Sequence, residues 1–316
     1  MPSCEADHYR LAEEPAMRQD RIHRIRQARS RVDCWSKMDT GHGGTGPGFP
    51  NEGKTAEPEN ASGSKKMSEK LIADLHQAIK NITGRHHPIP DRQFHKHDEY
   101  LSYGLKASDF RRILKEFRPQ FLELSFQQRM DLASRLLQEH IGELGHVGLH
   151  IISLSIKDLE PKHFACLEDL PEHFRSWSHV DHLSLGVMQP LLWRYRKETL
   201  ALLEEWSRSP IRWKRRASVV TFVRKVAKSG EFTKEVIHLC ENLIWDDEDI
   251  VQKGVGWALK DNLRSAPDRI FPYIKDLRRR GVSSMIMLYA IRDLRGAKRQ
   301  EVLAVKRNTL SDLMVT

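Results

Sequence analysis

Glu248-Asp-Ile-Val-Gln-Lys-Gly-Val-Gly-Trp-Ala-Leu-Lys-Asp-Asn-Leu-Arg264 carries its apolar side chains at the spacing of an α-helix. At about 100° per residue, Val251, Val255, Ala258, Leu259 and Asn262 gather on one face, which makes a stripe fit for burial. The same three- and four-residue spacing recurs upstream: Leu71, Leu75, Ala78 and Ile79; Phe110, Ile113, Leu114 and Phe117; Leu132, Leu136 and Leu137; Val236, Ile237, Cys240 and Ile244. About ten such segments of roughly 10–17 residues run from residue 68 onward, broken by Pro, Gly or Asp-rich turns. No alternating apolar run flanked by hairpin turns interrupts them, so no sheet is expected. Short helices of similar length with short connections predict an all-α architecture of stacked antiparallel helix pairs. Exact repeats are not visible, so the array is a degenerate solenoid.

Composition narrows the function classes. Of 316 residues, 39% are hydrophobic and 30% charged, enough for a core beneath a wet surface. The absence of an 18-residue apolar run excludes a membrane-spanning helix. Four cysteines without a C-x-x-C pair exclude a cysteine zinc cage and a disulfide scaffold, and suit a reducing compartment. The net charge of +9 points to a polyanionic partner. Residues 1–67 hold 11 Lys+Arg against 10 Asp+Glu, so nearly all the excess lies in residues 68–316. With Gly41-His-Gly-Gly-Thr-Gly-Pro-Gly48 near its end, segment 1–67 reads as a disordered polar extension, and 68–316 as the folded domain. Glu5, Asp7, Glu13, Glu14 and Asp20 spoil a transit peptide, and no signal-peptide core is present, so a cytoplasmic monomer is expected, nucleoid-associated in a bacterium.

Three places break the rule of apolar inside and charged outside. Trp257 lies far from the centre of its helix's core stripe, with Lys253 four residues before, Lys260 three after, and Asp261 and Arg264 nearby. It suits an aromatic plate for a polyanion's sugars or bases, and equally a ring packed beneath the next repeat. Arg208–Lys228 holds Arg208, Arg212, Lys214, Arg215, Arg216, Arg224, Lys225 and Lys228 with no acid between Glu205 and Glu231. Such cations repel one another unless something neutralises them, and phosphates do so with release of counterions. Arg212 and Arg215 lean toward the apolar phase of Val219, Phe222, Val223 and Val226, which also admits a structural role. In Arg175-Ser-Trp-Ser-His-Val-Asp-His182, Trp177 and Asp181 are four apart and share a helical face. A carboxylate beside an indole stabilises a developing cation, although a capped helix start gives the same pattern. His173, His179, Asp181 and His182 crowd ten residues but match no recognised ligand spacing, so no metal is expected.

Ser176-Trp-Ser-His-Val-Asp181, then Trp213-Lys-Arg-Arg-Ala217, then Gln252-Lys-Gly-Val-Gly-Trp-Ala-Leu-Lys260 occur in that order, after an early Tyr103-Gly-Leu105 and Phe110-Arg111. Over about residues 68–295 this resembles the DNA alkylation repair family of HEAT-like-repeat DNA glycosylases, the AlkD-like enzymes. The resemblance implies a curved superhelical solenoid whose basic concave face takes double-stranded DNA. It implies release of N3- and N7-alkylated purines by cleavage of the N-glycosidic bond, with no metal or cofactor. By position, Asp181 matches the catalytic aspartate, Trp177 and Trp257 the tryptophans that flank the lesion's sugar and backbone, and Arg216 a DNA-contacting arginine. Lys214, Arg215, Arg224, Lys225, Lys228, Lys253 and Lys260 extend the expected DNA-binding set. The chain departs from the family at Ser178-His179, where a second Trp or an Asp is common, and at Lys260-Asp261, where Arg-Glu is common. Two function classes follow: a monofunctional alkylpurine glycosylase, and a catalytically silent solenoid that binds nucleic acid or a protein.

Overall fold

The computed structural model describes residues 59–91 and 100–308, with side chains from Lys66. Helix α1 spans Glu59–Thr83, so the boundary expected at residue 67 falls inside a helix. Ser68 is already buried there, and Leu71, Leu75 and Ile79 face the interior. The rest of the expected polar extension lies outside the described residues.

Contrary to the sheetless expectation, a two-residue antiparallel ladder follows, β1 (Ile89–Pro90) with β2 (Leu101–Ser102). Its anchor is the buried carboxylate of Glu143, which accepts from Ser102 Oγ at 2.8 Å, Tyr103 N at 3.2 Å and Leu105 N at 3.1 Å. Three donors satisfied by one carboxylate give this irregular segment the partners that a helix would supply internally.

The remainder is helical: α2 (Ala107–Glu123), α3 (Phe126–Gln138) and α4 (Gly142–Leu154); α5 (Phe164–Glu168), α6 (Trp177–Leu183) and α7 (Gln189–Arg194); α8 (Arg196–Ser207), α9 (Arg212–Val220) and α10 (Lys225–Ser229); α11 (Thr233–Glu241), α12 (Asp249–Ser265), α13 (Pro267–Arg279), α14 (Ser284–Ala290) and α15 (Gly296–Leu303). The expected uniformity of length does not hold. Lengths run from 5 residues in α5 to 25 in α1. Pro161 and Pro171 open 3₁₀ turns on either side of α5 and chop that repeat. A π-helical turn, Ser184–Met188, carries α6 directly into α7.

Packing follows sequence order in two rows. Helices α2, α4, α6, α9, α12 and α14 lie side by side, each against the next, and α1, α3, α8, α11, α13 and α15 back them. This is an all-α helical repeat. The expected stripe of α12 forms its core: Val251, Val255, Ala258 and Leu259 are fully buried. Asn262 belongs to the stripe because its amide donates to Phe222 O and Ala258 O, both at 2.8 Å. Two glycines set the flanks of α12. A Cβ on Gly254 would lie 3.4 Å from Arg216 and Val220 of α9, and one on Gly256 would lie 2.6 Å from Tyr289 Cβ of α14. The small residues therefore admit a neighbouring helix on each side.

Candidate active site

Helix α6 begins where Ser176 Oγ accepts from Ser178 N at 3.0 Å, an N-cap that leaves Trp177 as the first helical residue. Trp177 and Asp181 then sit one turn apart on a partly exposed face, with His179, Val180 and Leu183 buried behind them. The order of the row seats α6 between α4 and α9.

Behind the site lies a polar layer with no counterpart among the expectations. His146 of α4 places Nδ1 3.1 Å from His182 Nδ1 and Nε2 3.1 Å from Ser178 Oγ, so one ring engages both ends of a helical turn of α6. Ser178 Oγ also meets Ser176 Oγ at 2.7 Å, and His179 Nε2 donates to Gly142 O at 3.1 Å. The departures at Ser178 and His179 are thus interior contacts of α6. Burial, with His150 nearby, pushes the His182 imidazole down to about 4, so it is neutral at physiological pH. Gly142, Gly145 and Gly148 recur every third residue in α4. A Cβ at these positions would strike Tyr100, His179 and Ala133 O, each within 3 Å. That glycine spacing was the legible sign of close packing here.

Asp181 Oδ1 accepts from the Arg216 guanidinium at 2.8 Å, and the same guanidinium donates to Ile250 O at 2.8 Å. Arg216 therefore ties α6, α9 and α12 together. Its side chain is only 5% exposed, against 16% for Asp181, so its donors face the carboxylate rather than open solvent. The expected DNA-contacting arginine is, in this structure, an internal partner of Asp181. Burial raises the Asp181 carboxyl above the ordinary aspartate value, and the Arg216 and Arg224 charges oppose that rise.

Trp257 is partly exposed on α12. Its indole Nε1 donates to Asp261 Oδ2 at 3.0 Å. The same oxygen accepts the backbone N–H of Arg224 at 2.9 Å, and the Arg224 guanidinium lies over the Trp257 ring at 5.4 Å. Ile250, Gly254, Trp257 and Asp261 fall on one stripe of α12, the stripe that meets Arg216.

The other expected cations divide into two sets. Arg215 is spent inside: it pairs with both oxygens of Asp246, at 2.5 and 3.2 Å, and donates to Ser209 O and Pro210 O at 3.0 Å. These bonds engage four of its five N–H donors, and Arg212 likewise pairs with Glu248 at 3.7 Å. Lys253 bonds Asp249 at 2.9 Å, and Lys260 reaches Asp261 at 3.0 Å and Asp293 at 3.7 Å. The basic run does have counter-ions, supplied by tertiary neighbours. Lys225 and Lys228 are exposed and form no ion pair among the described residues; Lys214 forms none within 4 Å, with Glu172 close enough to feel its charge. His179 and His182 face Gly142 and His146, not Asp181. The described residues hold no group of three or more His, Cys, Asp or Glu side chains that could bind a metal.

A family model described as DNA alkylation repair enzyme matches residues 73–294. The chain belongs to that family, whose members act in repair of alkylated DNA. No individual curated protein matches it.

Proposed function

We propose that this chain is a monofunctional glycosylase that hydrolyses the N-glycosidic bond of cationic N3- or N7-alkylated purines in duplex DNA. The observation that carries the reading is the buried Asp181–Arg216 pair at 2.8 Å, with Trp177 one turn before the aspartate and Trp257 on the helix that Arg216 also binds. A purine alkylated at these nitrogens is already positive, so it departs with the C1′–N bonding electrons and becomes neutral. The sugar is left with oxocarbenium-like charge, and a water adds at C1′ and gives up its proton. The protein's part is to stabilise that charge. A carboxylate about 4 Å from it contributes roughly 4 kcal/mol at an effective dielectric constant near 20, about a thousandfold in rate. Arg216 opposes part of this. With its charge about 3 Å beyond the carboxylate, about 2 kcal/mol is cancelled. The indoles of Trp177 and Trp257 add cation–π attraction.

The deciding experiment incubates the full chain with methylated duplex DNA and follows released 7-methylguanine and 3-methyladenine by chromatography. Release that requires Asp181 supports the glycosylase. Binding of methylated DNA with no base released would overturn it in favour of a silent solenoid.

A further inference from the structure

Asp261 is the one acid on the Trp257 stripe whose carboxylate serves two other groups of the site. Oδ2 accepts from the Trp257 indole at 3.0 Å and from the Arg224 backbone N–H at 2.9 Å, and Oδ1 lies 3.0 Å from Lys260 Nζ. Arg224 needs such a partner. Its φ of 53° and ψ of −111° belong to a region that non-glycine residues rarely occupy. Conformations of this kind are strained and persist only where surroundings impose them. Here the consequence of the strained turn is visible: it places the Arg224 guanidinium over the Trp257 ring, at 5.4 Å.

We propose that Asp261 is a positioning residue that locks the Trp257 plate and the Arg224 guanidinium into one geometry facing the DNA. The inference rests on the proposed reading for its purpose, but not for its geometry. Without the carboxylate, the indole loses the acceptor that sets its ring orientation, and the Arg224 backbone loses the bond that offsets its strain. The acceptor oxygen matters here more than the charge. An asparagine at this position, which keeps one oxygen able to receive both donors, therefore preserves the lock.

The test begins with the free protein. Trp257 emission is isolated by subtracting the spectrum of Trp257→Phe from that of the full chain, and its accessibility is read by acrylamide quenching. In Asp261→Ala we expect at least a twofold rise in quenching of that emission. In Asp261→Asn we expect the wild-type value. With methylated duplex DNA, Asp261→Ala should lose about tenfold in kcat with KM changed less than threefold, and Asp261→Asn should recover most of it. Wild-type quenching and turnover in a folded Asp261→Ala protein would overturn the inference. Should Asp261→Ala not fold, Asp261→Asn decides alone: wild-type Trp257 quenching supports the acceptor role, and a rise in quenching of twofold or more overturns it. If no protein, wild type included, releases base, the glycosylase reading fails, while the free-protein quenching still judges Asp261.

Discussion

Asp181 and Arg216 carry opposite charges 2.8 Å apart, so a change at either is felt through the other. On the proposed reading, Asp181→Asn keeps the shape and an acceptor for Arg216 but leaves the guanidinium charge facing the sugar. Excision should fall by about a hundredfold to a thousandfold with DNA affinity little changed. The double change Asp181→Asn/Arg216→Gln removes that residual repulsion and should excise roughly tenfold to thirtyfold faster than Asp181→Asn alone. A double variant as slow as the single one would show that Arg216 does not oppose the reaction; single-turnover kinetics measure both. The pH profile carries the same signature. On the proposed reading the anion is the active form, and burial raises its pKa, so activity should be lost, as pH falls, above the ordinary aspartate value near 3.9. Asp181→Asn should lack that limb. The Trp177–Asp181 pair was legible in the sequence because four residues on one helix fix a shared face. The partner of Arg215 was not, because Asp246 lies 31 residues away and only the folded array brings the two together. Asp261, one turn beyond Trp257, was legible as a helical neighbour of that ring and as a departure from Arg-Glu, but its bond to the Arg224 backbone 37 residues away was not.

Among the elements, α6 depends on its seat on α4. His182 prefers to be neutral in the folded protein, at about 4 against an ordinary value near 6.5. A depressed histidine pKa stabilises the fold above the unfolded value, and that contribution is lost as pH falls from about 6.5 toward 4. The loss is on the order of 3 kcal/mol. His140, His150, His163 and His173 are lowered too and steepen it. The melting temperature should therefore drop between pH 7 and 4.5, and His182→Asn should flatten the drop; an unchanged slope would mean the ring is not neutral. On α12 the two flanking glycines make opposite expectations. Gly256→Ala drives a methyl into Tyr289 and should cost about 1–3 kcal/mol. Gly254→Ala, with its nearest neighbours at 3.4 Å, should cost less than about 1 kcal/mol. Urea melts of the two variants compare them directly. Helix existence and the α12 stripe followed from periodicity. The 3₁₀ turns, the π-helical turn and the ladder held by Glu143 did not, because each answers to a tertiary contact rather than to a repeating pattern.

For the molecule as a whole, the set of cations expected at the DNA overstates those available to a ligand. Arg212, Arg215, Arg216, Lys253 and Lys260 all have acidic partners. Lys214, Lys225 and Lys228 form no ion pair within 4 Å among the described residues, although Glu172 lies close enough to feel the Lys214 charge, and these three are the side chains expected to neutralise phosphates. Replacing all three with Ala should reduce the slope of log affinity against log salt by up to about 0.9 for each phosphate no longer neutralised. Arg215→Ala should leave the slope alone and lower the melting temperature instead, since it strands the buried Asp246 carboxylate. Fluorescence anisotropy across a salt series separates the two cases. Basic character was readable from the sequence, but its division into spent and free cations was not.

Arg216, held at once by Asp181 and by the Ile250 carbonyl, has a consequence for motion as well as for charge. In a linear array each repeat ordinarily opens on its own, with only its neighbours to restrain it. A buried side chain that staples three successive members of one row makes them a single cooperative unit. Backbone amides of α6, α9 and α12 should then exchange with deuterium together and late, while α1 and α15 at the ends exchange early and independently. The candidate site would vanish or persist as a whole, never by halves.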